Sequence, residues 1–133
     1  MPITVEWDDQ SQQAVRWTFE GTWTWDEFHL TQVESMSLMV TVDHMVDVIG
    51  DMRAAHLIPK DAFENFQYFK DMISAPNRGR IVAVAESPLV RLMISTYNRL
   101  FKRGGDDIFL VETLEAARAL LAFLTSDAAS AVL

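Results

Sequence analysis

Apolar and polar residues alternate over Ile3, Val5 and Trp7, and again over Val15, Trp17 and Phe19. A period of two marks half-buried strands, and Asp8-Asp9-Gln10-Ser11 between them has turn chemistry. The chain is therefore expected to open with an antiparallel hairpin. After Gly21 the period changes. Thr24 and Glu27 form a capping box, T-x-x-E, that starts a helix. At about 100° per residue, Trp25, Phe28, Val33, Met36, Met39 and Val40 fall within an arc of roughly 140°, predicted to pack on the sheet. His29 and Gln32 fall inside the same arc.

The stretch from His44 to Pro59, HMVDVIGDMRAAHLIP, organises the remainder of the chain. It reads as a buried central strand, Met45 to Met52, running into a loop and then into a second helix opened by Asp61 and Glu64. Phe63, Phe66, Phe69 and Ile73 share that helix's inner face, and Pro76-Asn77 with Gly79 breaks it. Ile81 to Ala85 is apolar on both faces, as an interior parallel strand requires. Ser87 caps a third helix, with Pro88 at its first position, where the missing N–H costs nothing. Leu89, Val90, Met93, Ile94, Tyr97, Leu100 and Phe101 make its apolar face, and Gly104-Gly105 stops it. Ile108 to Val111 is the last strand, and Thr113 opens the last helix.

The order is β-β-α-β-α-β-α-β-α. A hairpin followed by three βα steps predicts an α/β fold with a five-stranded, mixed, mostly parallel sheet, four helices and right-handed crossovers. One domain is expected over residues 1–125, with a flexible, small-residue tail over 126–133.

Composition narrows the function classes. The 133-residue chain has no cysteine, which excludes disulfides, thiolate metal ligands and cysteine nucleophiles. A formal charge of −8 argues against nonspecific nucleic-acid binding, which needs a basic footprint. MPITVEWDDQ is not a signal peptide, and no apolar run reaches the ~18 residues of a membrane span. A cytoplasmic location is the expectation.

The opening hairpin, GTWTWDEF, the strand HMVDVIGDMR, the step RIVAVAESPLVR and the closing DIFLVETLEAARALL resemble the STAS/SEC14-like group with the SpoIIAA-like fold, which includes anti-sigma factor antagonists. The resemblance implies that fold, no enzymatic activity in most relatives, and binding of proteins or apolar ligands. The group's switch members carry a phosphorylated Ser or Thr where the helix after the central strand starts. Here the matching segment, Arg53-Ala54-Ala55-His56-Leu57-Ile58-Pro59-Lys60, has no hydroxyl residue, so that site does not carry over.

Candidate chemistry is sparse. Asp51, Arg53 and His56 fall where the central strand is expected to give way to loop, the usual ligand position in open α/β sheets. His44, Asp47, Asp51 and His56 do not predict a metal site, because four residues of strand span about 13 Å. Asp51 is expected to pair with Arg53 or with backbone N–H groups. Asp47 interrupts an apolar strand and needs a partner, with Arg80, His29 and Gln32 as suppliers. That cluster is either structural or the polar lining of a ligand pocket. Ser87 lacks the flanking glycines of a nucleophile elbow, and no glycine loop precedes a helix. No cofactor is expected.

The third helix has a basic polar side, Arg91, Arg99 and Lys102, with Arg103 following. It either docks an acidic partner or, at its last turn, complements the helix dipole. Trp23 and Tyr68 fall off the inner faces and are expected at the surface as interface markers. A protein-interaction module, with a homodimer as its expected form, is the preferred reading. The alternative is a small carrier of an apolar or anionic ligand, its polar lining His29, Gln32 and Asp47.

Overall fold

The computed structural model describes residues 2–72, 75–100 and 108–126, the side chains of 69–72 excepted. Its elements are β1 (Ile3–Trp7), β2 (Ala14–Gly21), α1 (Trp25–Met39), β3 (Val46–Ala55), α2 (Ala62–Met72), β4 (Arg78–Val84), α3 (Pro88–Leu100), β5 (Ile108–Val111) and α4 (Leu114–Leu124). The strands lie in the order β1-β2-β3-β4-β5. β1 pairs antiparallel with β2, and the other three pairings are parallel. This is the predicted α/β class, element order and mixed sheet. The predicted inner-face Phe69 and Ile73, the stop at Gly104-Gly105, Phe101, Lys102, Arg103 and nearly all of the tail lie outside the described residues or side chains.

Alternation along the strands separates two cores. Val15, Trp17, Phe19, Val46, Val48, Met52, Ile81 and Ala83 face one side, where Phe28 of α1, Phe66 of α2 and Val90, Ile94 and Tyr97 of α3 cover them. Ile49, Val82 and Val84 face the other side, where Ala117 and Leu121 of α4 pack. Each step from one strand to its parallel neighbour thus puts its helix on the same face, and α4 alone takes the opposite one.

Helix α1 sits differently from its predicted pose. Phe28, Gln32 and Met39 are buried and Trp25 and Met36 pack against the core as expected, but Thr31 and Ser35 are buried with them, while Val33 and Val40 are 56% and 63% exposed. The sheet explains the rotation. Trp17, Phe19 and Trp23 fill the space beneath α1 with rings, so the helix meets them through small and polar side chains. Trp17 Nε1 donates to Ser35 Oγ at 3.1 Å, and the Thr31 hydroxyl turns back to the Glu27 carbonyl at 2.8 Å. Trp23 is also corrected: it is 2% exposed, its ring against Phe19, Trp25 and Phe28. On α3, Leu89 and Leu100 are exposed rather than part of the inner face.

The turn before β4 holds α1 in place. Asn77 Nδ2 donates to the carbonyls of Met39 and His44, each at 2.9 Å, beyond the end of α1 where helical partners run out. Asn77→Ala strands those carbonyls and is expected to cost about 2 kcal/mol in urea unfolding, with an unchanged m-value.

Candidate functional site

The predicted site residues separate into three places. His29 and Gln32 belong to α1, on the three-helix side of the sheet. His29 Nε2 meets Asn65 Oδ1 of α2 at 3.1 Å, and its ring stands edge-on to Tyr68. Asp47 alternates with Val46 and Val48 and so points to the α4 side. A pocket lined jointly by His29, Gln32 and Asp47 is therefore ruled out by the pleat: the sheet lies between them.

Asp47 is 8% exposed. Its Oδ1 accepts the backbone N–H of Arg80 at 2.7 Å, so Arg80 is its partner through the main chain. Gly79 leaves the room: a Cβ there would collide with Asp47 Oδ1. Burial pushes the Asp47 carboxyl above its ordinary value, and the Arg80 N–H and guanidinium offset only part of that. Two adjoining hollows of about 260 and 470 Å³ share Asp47, Gln13 and Thr125 at the N-terminal ends of the parallel strands. His44, Arg78 and Arg80 line one of them, and Asp8, Asp9 and Arg118 the other.

Asp8 anchors that rim. Arg118 of α4 holds it through two bonds, of 3.0 and 2.9 Å, and Arg16 of β2 adds a third at 2.8 Å. The Arg118 bonds lead in holding its carboxyl below the ordinary range, against burial, with Arg16 assisting. A depressed folded pKa stabilises above the unfolded value of 3.8 and is lost as pH falls through it. Asp47, shifted upward, has the opposite sign: its contribution is lost as pH rises from 3.8. Asp8→Asn should therefore be less stable than the parent at pH 7, the gap closing in acid below pH 3.8. Asp47→Asn should be the more stable at pH 7, its gap closing as pH falls through the raised folded pKa toward 3.8, a window that lies above the one for Asp8. Thermal melts across pH 2.5–7.5 check both signs, and parallel curves for either pair would contradict them.

Asp51 and Arg53 lie within β3 rather than in a loop, because the strand continues to Ala55. Arg53 Nε and Nη2 each reach an Asp51 oxygen at 2.9 Å, the expected pairing. Burial raises the Asp51 carboxyl, but the Arg53 bonds outweigh it and the net shift is downward. His56 follows the strand end, exposed, its N–H donating to the Gly21 carbonyl. Among the described residues no cluster of three His, Cys, Asp or Glu is placed to hold a metal ion.

Ligands of open α/β sheets favour the point where successive helices leave for opposite faces. Here that point lies between the ends of β4 and β5, since α3 goes to one face and α4 to the other. The Arg91 guanidinium sits there: Nη1 donates to the Ala85 carbonyl at 2.9 Å and the Val111 carbonyl at 3.3 Å. Asn98 likewise grips β5, donating to the Ile108 carbonyl and accepting its N–H. Arg91 of the predicted basic side, and Asn98 with it, thus tie α3 to strand ends. Arg99 remains exposed, and Lys102 lies outside the described residues.

The apolar surface is unevenly distributed. Of ten exposed large apolar side chains among the described residues, seven (Leu30, Val33, Val40, Tyr68, Leu89, Leu92 and Leu100) belong to α1–α3 or the residue capping α1. Leu30, Val33, Ser37 and Val40 follow a three-four-three spacing along the solvent side of α1, a seam of the kind coiled helices use. Leu92 and Arg99 lie opposite the buried Val90, Ile94 and Tyr97 on α3. Nothing in the sequence pattern alone separates the two sides of α1, because both carry apolar residues.

Under the same helices lies a wholly apolar cavity of about 60 Å³, lined by residues that include Trp17, Phe28, Gly50, Met52, Phe66 and Ile94. No helix among the described residues is long and apolar enough to cross a membrane. Comparison of the chain with protein-family models, curated proteins and solved structures returned no match.

Proposed function

We propose that this chain is a non-enzymatic protein-interaction module of SpoIIAA-like type, whose docking face is the outer surface of α1, α2 and α3. The observation that carries this reading is the rotated helix α1, with Thr31, Gln32 and Ser35 inside and Leu30, Val33 and Val40 outside. Water is a poor neighbour for that seam, and a contiguous apolar face on a folded domain marks a binding surface. The exposed Arg99 and Tyr68 share this face, and both residue types are enriched at interfaces. The STAS-like resemblance agrees, since its best-understood members work by docking to other proteins. Cytoplasmic operation fits the cysteine-free composition.

Val33→Asp tests it. The variant should keep the parent's stability within about 0.5 kcal/mol, as surface changes do, while the complex it forms in cell extract is lost from size-exclusion profiles. A parent that elutes as a bare monomer from fresh extract would count against the reading.

A second reading has its own observation. The cavity beneath α1–α3 would give the carrier alternative an apolar lining in place of His29, Gln32 and Asp47, but at about 60 Å³ it must widen several-fold to reach the roughly 300 Å³ of a small-molecule pocket. Native mass spectrometry separates the two: retained mass released on denaturation supports a carrier, and a bare chain contradicts it.

A further inference from the structure

We infer that the occupant of this face is a second copy of the chain, with α1 of each copy seated against α3 of the other; the inference rests on the docking reading above. Both helices carry an outward apolar stripe, Leu30, Val33 and Val40 on one and Leu89, Leu92 and Leu100 on the other. Their charges are opposite. On their exposed sides α1 offers Asp26 and Glu34 and no Lys or Arg, Glu27 being held in its capping box, whereas α3 offers Arg99 and no acid, Arg91 being held by the Ala85 and Val111 carbonyls.

The two helices flank α2 in one layer. Trp25 and Phe28 of α1 touch Phe66 of α2, and Phe63 and Phe66 touch Tyr97 of α3. A two-fold axis parallel to the helices and passing over α2 therefore lays α1 on α3 twice, acid against base each time. A two-fold axis perpendicular to the helices would instead set α1 on α1, acid against acid, so charge selects between the two arrangements. Size is adequate as well. Three helices of about 17–22 Å at 8–10 Å spacing present a footprint on the order of 600 Å², close to the ~800 Å² per partner of a specific complex.

The arrangement makes a prediction that few other interfaces share. Glu34 and Arg99 are both exposed, so their replacement leaves the fold alone. Glu34→Arg sets base against base in both halves of its own dimer, and Arg99→Glu sets acid against acid. Mixed together, the two variants restore acid against base in both halves. Sedimentation equilibrium on the full chain should show a dimer for the parent, dimerisation weakened roughly tenfold or more for each variant alone, and recovery toward the parent value in the equimolar mixture.

A parent that stays monomeric at millimolar concentration would overturn the inference, as would a mixture no tighter than its components. The docking reading fails separately. A monomeric parent whose position 33 still cross-links to another protein in cells refutes the second copy alone, and absence of any cross-link refutes both.

Discussion

Phe28→Ala should lower stability by about 3–5 kcal/mol, whereas Val33→Asp, five residues along the same helix, should leave it nearly unchanged. Phe28 is 5% exposed and its ring meets those of Trp17, Trp23, Trp25 and Phe66, so its removal enlarges a cavity already present beneath it. The surrounding rings come from several separate elements and cannot collapse together into the gap, which puts the cost toward the upper end of that range. Val33 points outward and loses no contact with the core. Chemical unfolding of the two variants side by side decides which face of α1 holds the fold. A large loss for Val33→Asp would mean that the outer seam is structural and that the rotation of α1 is wrong.

Gly79→Ala is expected to cost about 2–3 kcal/mol, a large effect for one methyl group. The new Cβ collides with Asp47 Oδ1 and comes within 3.4 Å of the Val46 carbonyl, so the carboxylate must leave the Arg80 N–H. Backbone on one side cannot yield, and the displaced carboxylate is still buried. In an Asp47→Ala background the clash with the carboxylate is gone and only an ordinary contact with the Val46 carbonyl remains, so the same substitution should cost little. The double-mutant cycle therefore isolates the coupling between position 79 and the Asp47 carboxylate. Additive losses would show that Asp47 does not set the geometry of this turn, and would return it to consideration as a ligand-contacting group.

Element order and sheet class are legible because they depend on periods and caps. The alternation of Val15, Trp17 and Phe19, the T-x-x-E box and the Ser87-Pro88 start each signal locally, and each appears where the sequence puts it. The facing of α1 is not legible. Its apolar arc is broad, and where within it the helix settles is set by the rings of Trp17 and Phe19 on the sheet and of Trp23 in the loop before the helix, a tertiary effect. The end of β3 is hidden for a related reason. Asp51 and Arg53 look like loop residues, yet at i and i+2 they pair on one face of a strand and extend it. Arg91 looks like part of a free basic stripe, because nothing local tells that two strand-end carbonyls lie within its reach. The clamping roles of Asn77 and Arg118 carry no local signal, because their partners lie 33 or more residues away in the chain.

The docking claim is tested most directly by a photo-cross-linking residue placed at position 33 and, as a control, at position 18 on the opposite side of the sheet. In living cells, position 33 should give one defined adduct that disappears when Leu30→Asp is added, and position 18 should give none. Equal labelling from both positions, or an adduct at 33 indifferent to Leu30→Asp, would contradict a docking face on α1–α3.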